Sequence, residues 1–84
     1  MYDCYITFRS ITGAQLGSAL LNRSGIYHQM VRTPKQLSEK GCGYTIRVPR
    51  HTLNQTVDVL YRGGAPYQRF FWSREDGIME ELIL

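Results

Sequence analysis

The sequence predicts an α+β sandwich, an antiparallel sheet of four strands covered on one face by two helices. Three observations predict it. The chain has 84 residues, 43% hydrophobic and 20% charged, the balance of one globular core rather than a disordered polymer. Apolar residues alternate along four segments and recur at spacings of three and four along two others. Those segments follow one another as strand, helix, strand, strand, helix, strand.

Residues 2–8, YDCYITF, read as the first strand, with Cys4, Ile6 and Phe8 on one face and Tyr5 and Thr7 on the other. The first helix runs from Ile11 to Arg23. Ser10 is placed to cap its first amides, and Gly25 stands where a helix stops. Ala14, Gly17, Leu20 and Leu21 make a narrow apolar stripe, and Gly17 suits close packing against a sheet. Ile26 to Arg32 reads as the second strand, broken by Thr33-Pro34 because proline donates no amide hydrogen and restrains its neighbour.

A polar connector, Pro34 to Gly41, leads into the third strand, Gly43 to Val48, which ends at Pro49. Thr52 is the expected N-cap of the second helix, residues 52–62, whose buried stripe is Leu53, Val57, Leu60 and Tyr61. Gly63-Gly64 terminates it. Tyr67 to Trp72 is aromatic-rich and reads as the fourth strand. Beyond the turn-forming Asp76-Gly77, Ile78, Met79, Leu82 and Ile83 recur at helical spacing in the tail. The order of elements is that of a ferredoxin-like sandwich.

Size and charge set the remaining bounds. A chain this short buries roughly 60% of the surface its unfolded form exposes, so its stability margin is thin. The expected organisation is a single domain over residues 1–84, with a core to residue 72 and a C-terminal extension over 73–84. The opening ten residues lack the apolar core of a signal peptide, and no apolar run approaches the roughly 20 residues of a membrane span. The cytoplasm is the expected location, with no membrane partner. The net charge of +3 is scattered, so dedicated nucleic-acid binding is not implied. Stacking of single-stranded bases on Tyr5, beside Thr7, Thr45 and Arg47 of the open sheet face, is a minor alternative.

The standard catalytic and metal motifs are missing. There is no phosphate-binding glycine loop, no Cys-x-x-Cys, and His28 and His51 stand apart from each other. No metal or cofactor is expected, and nothing marks a self-contained enzyme. One segment does stand out, Pro34 to Gly43, in which Cys42 sits between Gly41 and Gly43. Glycines on both flanks leave a sulfur accessible and allow close approach of a second backbone. Lys35, Lys40 and Arg47 are near in sequence and would favour the thiolate, the reactive form.

The plain alternative is a buried core cysteine: strand parity puts both Cys4 and Cys42 on the helix-covered face, which favours core for mid-strand Cys4 and leaves Cys42, at a strand edge between glycines, open. If the first and third strands lie side by side and parallel, both cysteines fall near strand starts on one face. That reading predicts a reversible Cys4–Cys42 disulfide, which needs a Cα separation below about 7 Å.

Several of these features together carry a family resemblance. They are YITF followed by Ser10 and a helix, Leu20-Leu21, the Gly25-Ile26 turn, the Thr33-Pro34 stop, and a connector with Ser38 leading into Cys42-Gly43. Over residues 2–72 the chain resembles the selenium/sulfur-carrier-like family, small bacterial domains of unknown function placed beside selenium or sulfur metabolism. It departs from the family pattern in having Pro34-Lys35 and Glu39-Lys40-Gly41 where a Pro-Arg and a serine-rich stretch are common, and in its tail.

The resemblance implies a carrier or thiol redox-accessory protein. Cys42 would bear a persulfide, Gly41, Gly43, Lys35 and Lys40 would surround it, and a partner protein would receive the sulfur or selenium. The competing reading is a non-catalytic ferredoxin-like interaction or regulatory module, homodimeric through its tail or edge strands.

Overall fold

The computed structural model describes residues 3–35, 37 and 43–82. Among the described residues, five strands and two α-helices follow one another as β1 (Asp3–Phe8), α1 (Ile11–Arg23), β2 (Gln29–Arg32), β3 (Tyr44–Pro49), α2 (Leu53–Arg62), β4 (Tyr67–Ser73) and β5 (Met79–Leu82). All strand pairs are antiparallel, in the order β2-β3-β1-β4-β5. The first six elements keep the expected succession. The sheet differs from the expected one by a fifth strand at its edge.

Helix α1 forms where both of its ends are specified. The Ser10 side chain accepts from Gly13 N at 3.1 Å, satisfying one of the amides that a helix start leaves without a partner. At the other end Ile26 N donates to Leu21 O and Gly25 N to Asn22 O, with Gly25 at φ 72°. That pair of bonds is the glycine-dependent Schellman closure. Helix α2 ends the same way, with Ala65 N on Leu60 O, Gly64 N on Tyr61 O, and Gly64 at φ 73°. In both cases the next residue, Ile26 or Ala65, turns into the core.

The start of α2 departs from expectation. Arg50–Thr52 forms a single 3-10 turn, and the Thr52 hydroxyl donates back to Pro49 O at 2.9 Å instead of capping α2. The buried face of α2 also differs. Leu60 and Thr56 are fully enclosed and Leu53 and Val57 pack beside them, while Tyr61 is 74% exposed. Positions 53, 56, 57 and 60 keep the stripe within one face, and 61 falls off its side.

The core lies between the helices and the face of the sheet that carries Cys4, Ile6 and Phe8 of β1, Ile46 and Val48 of β3, and Phe70 of β4. Ala14 and Leu21 of α1 and Leu60 of α2 close it from the other side. Gly17 is the point of closest approach. A Cβ there would stand 2.9 Å from Phe8 Cζ and 3.2 Å from Ile46 Cδ1. The opposite face carries the pairs Tyr5–Arg47 and Thr7–Thr45, as parity predicts.

The tail is a strand, not a helix. Met79–Leu82 pairs with Phe70–Ser73 along the free edge of β4, and Leu82 packs against the core. The turn before it is closed by Arg74 N on Ile78 O and Gly77 N on Arg74 O, with Gly77 at φ 83°. Pairing with an open strand edge satisfies backbone groups that a one-turn helix would leave exposed. No described helix is long and apolar enough to cross a membrane.

Candidate functional site

Of the two cysteines, Cys4 is among the described residues. Cys4 is 0% exposed, opposite Val48 on one side and Trp72 on the other. Burial pushes its thiol pKa up, because a thiolate loses its hydration there. The nearby Arg50 charge opposes that shift and Asp3 adds to it. Cys4 is therefore a core thiol held in its unreactive form.

Cys42, Gly41 and Lys40 lie outside the described residues, whereas their neighbours Gly43 and Lys35 lie within them. Gly43 sits just before β3 with φ 142°, a backbone region that side chains other than glycine's rarely adopt. A Cβ on it would meet Thr33 Oγ1 at 3.2 Å. The two stems of the connector are tied together at this point. Thr33 N donates to Gly43 O at 3.1 Å, and Thr45 Oγ1 donates to Thr33 Oγ1 at 2.9 Å. Pro34 O accepts from Leu37 N at 2.9 Å, so the connector leaves β2 in a tight turn. Lys35 is exposed on that turn.

Arg47 does not join this group. It lies on the open sheet face, bonded to Gln29 and 3.4 Å from Asp3, and it pairs across the strands with Tyr5. Asp3 and Tyr5 belong to the end of β1 away from the connector.

The parallel pairing of the first and third strands, on which the disulfide expectation was built, is not what the sheet shows. β1 and β3 run antiparallel, so Cys4 faces Val48, while Gly43 adjoins Tyr44, the partner of Phe8. Four residues of strand put Phe8 about 13 Å from Cys4. Cys42 itself lies outside the described residues.

His28 is half-buried and engaged through both nitrogens. Nδ1 lies 2.9 Å from Ile26 O and Nε2 2.7 Å from Ser18 Oγ. Since a carbonyl only accepts, Nδ1–H donates to Ile26 O, and in that tautomer Nε2 accepts a hydrogen bond from the Ser18 hydroxyl. The arrangement straps α1 to the approach of β2. Among the described residues no three His, Cys, Asp or Glu side chains gather as metal ligands.

A feature with no local sequence signal is the contact between Arg50 and Trp72. The guanidinium carbon stands 3.6 Å from the centre of a Trp72 ring, at the end of the sheet opposite Gly43. The two residues are 22 positions apart, and the registers of β3 and β4 on either side of β1 bring them together.

The family model described as "Putative Se/S carrier protein-like" matches residues 3–71. The chain belongs to this family. The match takes in both connector stems and the whole Pro34–Gly43 segment, and it ends before Trp72 and β5. Among curated proteins no match is found.

Proposed function

We propose that this member of the Se/S carrier protein-like family carries sulfur or selenium on Cys42. The observation that supports the reading most is the complete burial of Cys4. A carrier thiol must meet its donor and acceptor, and of the chain's two cysteines Cys4 is closed to both. Cys42 is left, on a connector whose stems are pinned at Thr33 and Gly43.

The transfer needs little machinery. The Cys42 thiolate attacks the outer sulfur of a donor persulfide, and a new S–S bond forms as the donor's own S–S bond breaks. The donor leaves as a thiolate, so no electrons are gained or lost overall. Delivery to the acceptor repeats the step with the roles reversed. Lys35 and Lys40 would favour the thiolate and the anionic persulfide through their charge. Gly41 and Gly43 would keep the approach open.

The fold is read here as a ferredoxin-like sandwich with β5 added beside β4. Homodimerisation through an edge strand accompanies the proposal, because Tyr27 and Met30 near β2 and Ile78 before β5 are exposed apolar groups. A monomer by light scattering at micromolar concentration would remove that part.

The function is tested by the pH dependence of alkylation at each cysteine of the native protein, resolved by peptide mass spectrometry. Cys42 should react with a midpoint below the ~8.5 of a free thiol, and Cys4 only after unfolding. Protection of Cys42 in the native state would overturn the proposal.

A further inference from the structure

The sheet order leaves two outer edges among the described residues, that of β2 and that of β5. An outer edge presents a row of N–H and C=O groups that a further strand can match. The two edges differ in what such a strand would meet.

Backbone alternation shows which residues of β2 face outward. Thr33 N donates to Gly43 O, in register with the β2–β3 pairs, so Thr33, Val31 and Gln29 turn their amides toward β3. Met30 and Arg32 turn theirs away from the sheet, and the same alternation carried one step back adds His28. The side chains of Met30 and neighbouring Tyr27 are 39% and 67% exposed.

The β5 edge discourages a second copy. Arg74 N donates to Ile78 O in register with the β4–β5 pairs, which leaves Met79 and Glu81 facing outward. A two-fold axis at Glu80 or Glu81 would set that glutamate against its own copy, and like charges directly opposite are destabilising. An axis at Met79 is poorly bonded, because Gly77 N is already given to Arg74 O.

We propose that two copies of this chain join through β2, antiparallel about a two-fold axis at Met30. This pairing rests on the edge-strand dimerisation proposed above and names its edge and register. Met30 faces its own copy on the helix-covered face, His28 faces Arg32 of the second chain, and Gln29 faces Val31. All three outward-facing residues of each chain are then bonded. An axis at Val31 or Gln29 loses one of them, because Pro34 has no N–H and Ile26 N is spent on Leu21 O. An axis at Arg32 would set two guanidiniums face to face. The Met30 axis closes a dimer, since each chain's β2 edge is used up in it.

Cross-linking reads the axis directly. Bonded antiparallel partners have Cα atoms about 5.5 Å apart, within disulfide reach. Residues one diagonal away, as Val31 would be from its copy, are separated by roughly 7–8 Å. In a Cys42→Ser background, Met30→Cys should therefore oxidise to a dimer about ten-fold faster than Val31→Cys or Glu81→Cys. The unmodified chain should be a dimer by light scattering at micromolar concentration. Met30→Lys, which sets two ammonium groups at the axis, should be a monomer with an unchanged circular dichroism spectrum. A monomeric unmodified chain would overturn the edge-strand reading and this axis with it. A dimer that cross-links through Val31 or Glu81 instead, or that survives Met30→Lys, would overturn the axis alone.

Discussion

Gly17 of α1 lies against Phe8 of β1 so closely that a single added methyl group would stand 2.9 Å from the Phe8 ring. The contact sets the distance between helix and sheet, and it explains a glycine that costs a helix interior about 1 kcal/mol relative to alanine. Overpacking a filled core costs about 1–3 kcal/mol, which outweighs the helix-propensity gain. Gly17→Ala should therefore lower stability by about 1 kcal/mol net, read from the urea midpoint at unchanged slope. A stabilised variant would show that the layers separate freely.

Thr56 makes the opposite prediction. Its hydroxyl is fully buried in α2 and has no hydrogen-bond partner among the described residues. Replacing it with the near-isosteric valine removes a desolvated polar atom and keeps the shape. Thr56→Val should raise stability by about 1 kcal/mol in the same denaturation experiment. A loss of similar size would reveal an acceptor for that hydroxyl.

Gly43 and Gly25 both have positive φ, 142° and 72°, but only Gly43 is crowded, by Thr33 Oγ1 at 3.2 Å. Gly25→Ala meets only the left-handed penalty of about 1–2 kcal/mol. Gly43→Ala should cost more, because strain in a sparsely populated region adds to the clash at the connector's base. Parallel denaturation of the two variants tests the order, and equal losses would contradict it.

For Cys4 the direction of the pKa shift fixes a pH dependence. Burial raises the folded thiol above its ordinary value of 9.0, so the unfolded chain ionises first as pH rises. The stabilisation is complete below the unfolded value and declines as pH climbs from there through the folded one. Cys4→Ala should lose the part of the alkaline stability slope that begins near pH 9.0. An unchanged slope in the variant would mean that other groups account for it.

Much of the fold was legible because its signals are local. Ser10 before α1, and the glycines at 25 and 64 after the helices, specify ends through bonds within a few residues. Strand parity likewise placed Cys4, Ile6 and Phe8 inward and Tyr5 outward. The misreadings arose where a distant partner decides. Ile78, Met79 and Leu82 fit a helix as well as a strand until the free edge of β4 is present to pair with them. Tyr61 lost its expected place to Thr56 because which row of α2 is buried is decided by what the helix packs against, not by the spacing alone.

The candidate site was legible to a smaller degree. The glycine before β3 and the proline after β2 marked the connector, and its pinned stems agree with that reading. The direction of β3 beside β1, antiparallel where the disulfide expectation took it as parallel, is set by the whole topology. The meeting of Arg50 with Trp72 depends on long-range register and left no trace in the local pattern.

The carrier account is tested most directly by loading. The reduced native protein is treated with a small-molecule persulfide donor, trapped by alkylation and mapped by peptide mass spectrometry. The account predicts one added sulfur on the Cys42 peptide, none on the Cys4 peptide, and its release to a thiol acceptor. A Cys42→Ser variant should take up none while remaining folded. A native protein that gains no sulfur at Cys42, or gains it equally with serine there, would contradict the account.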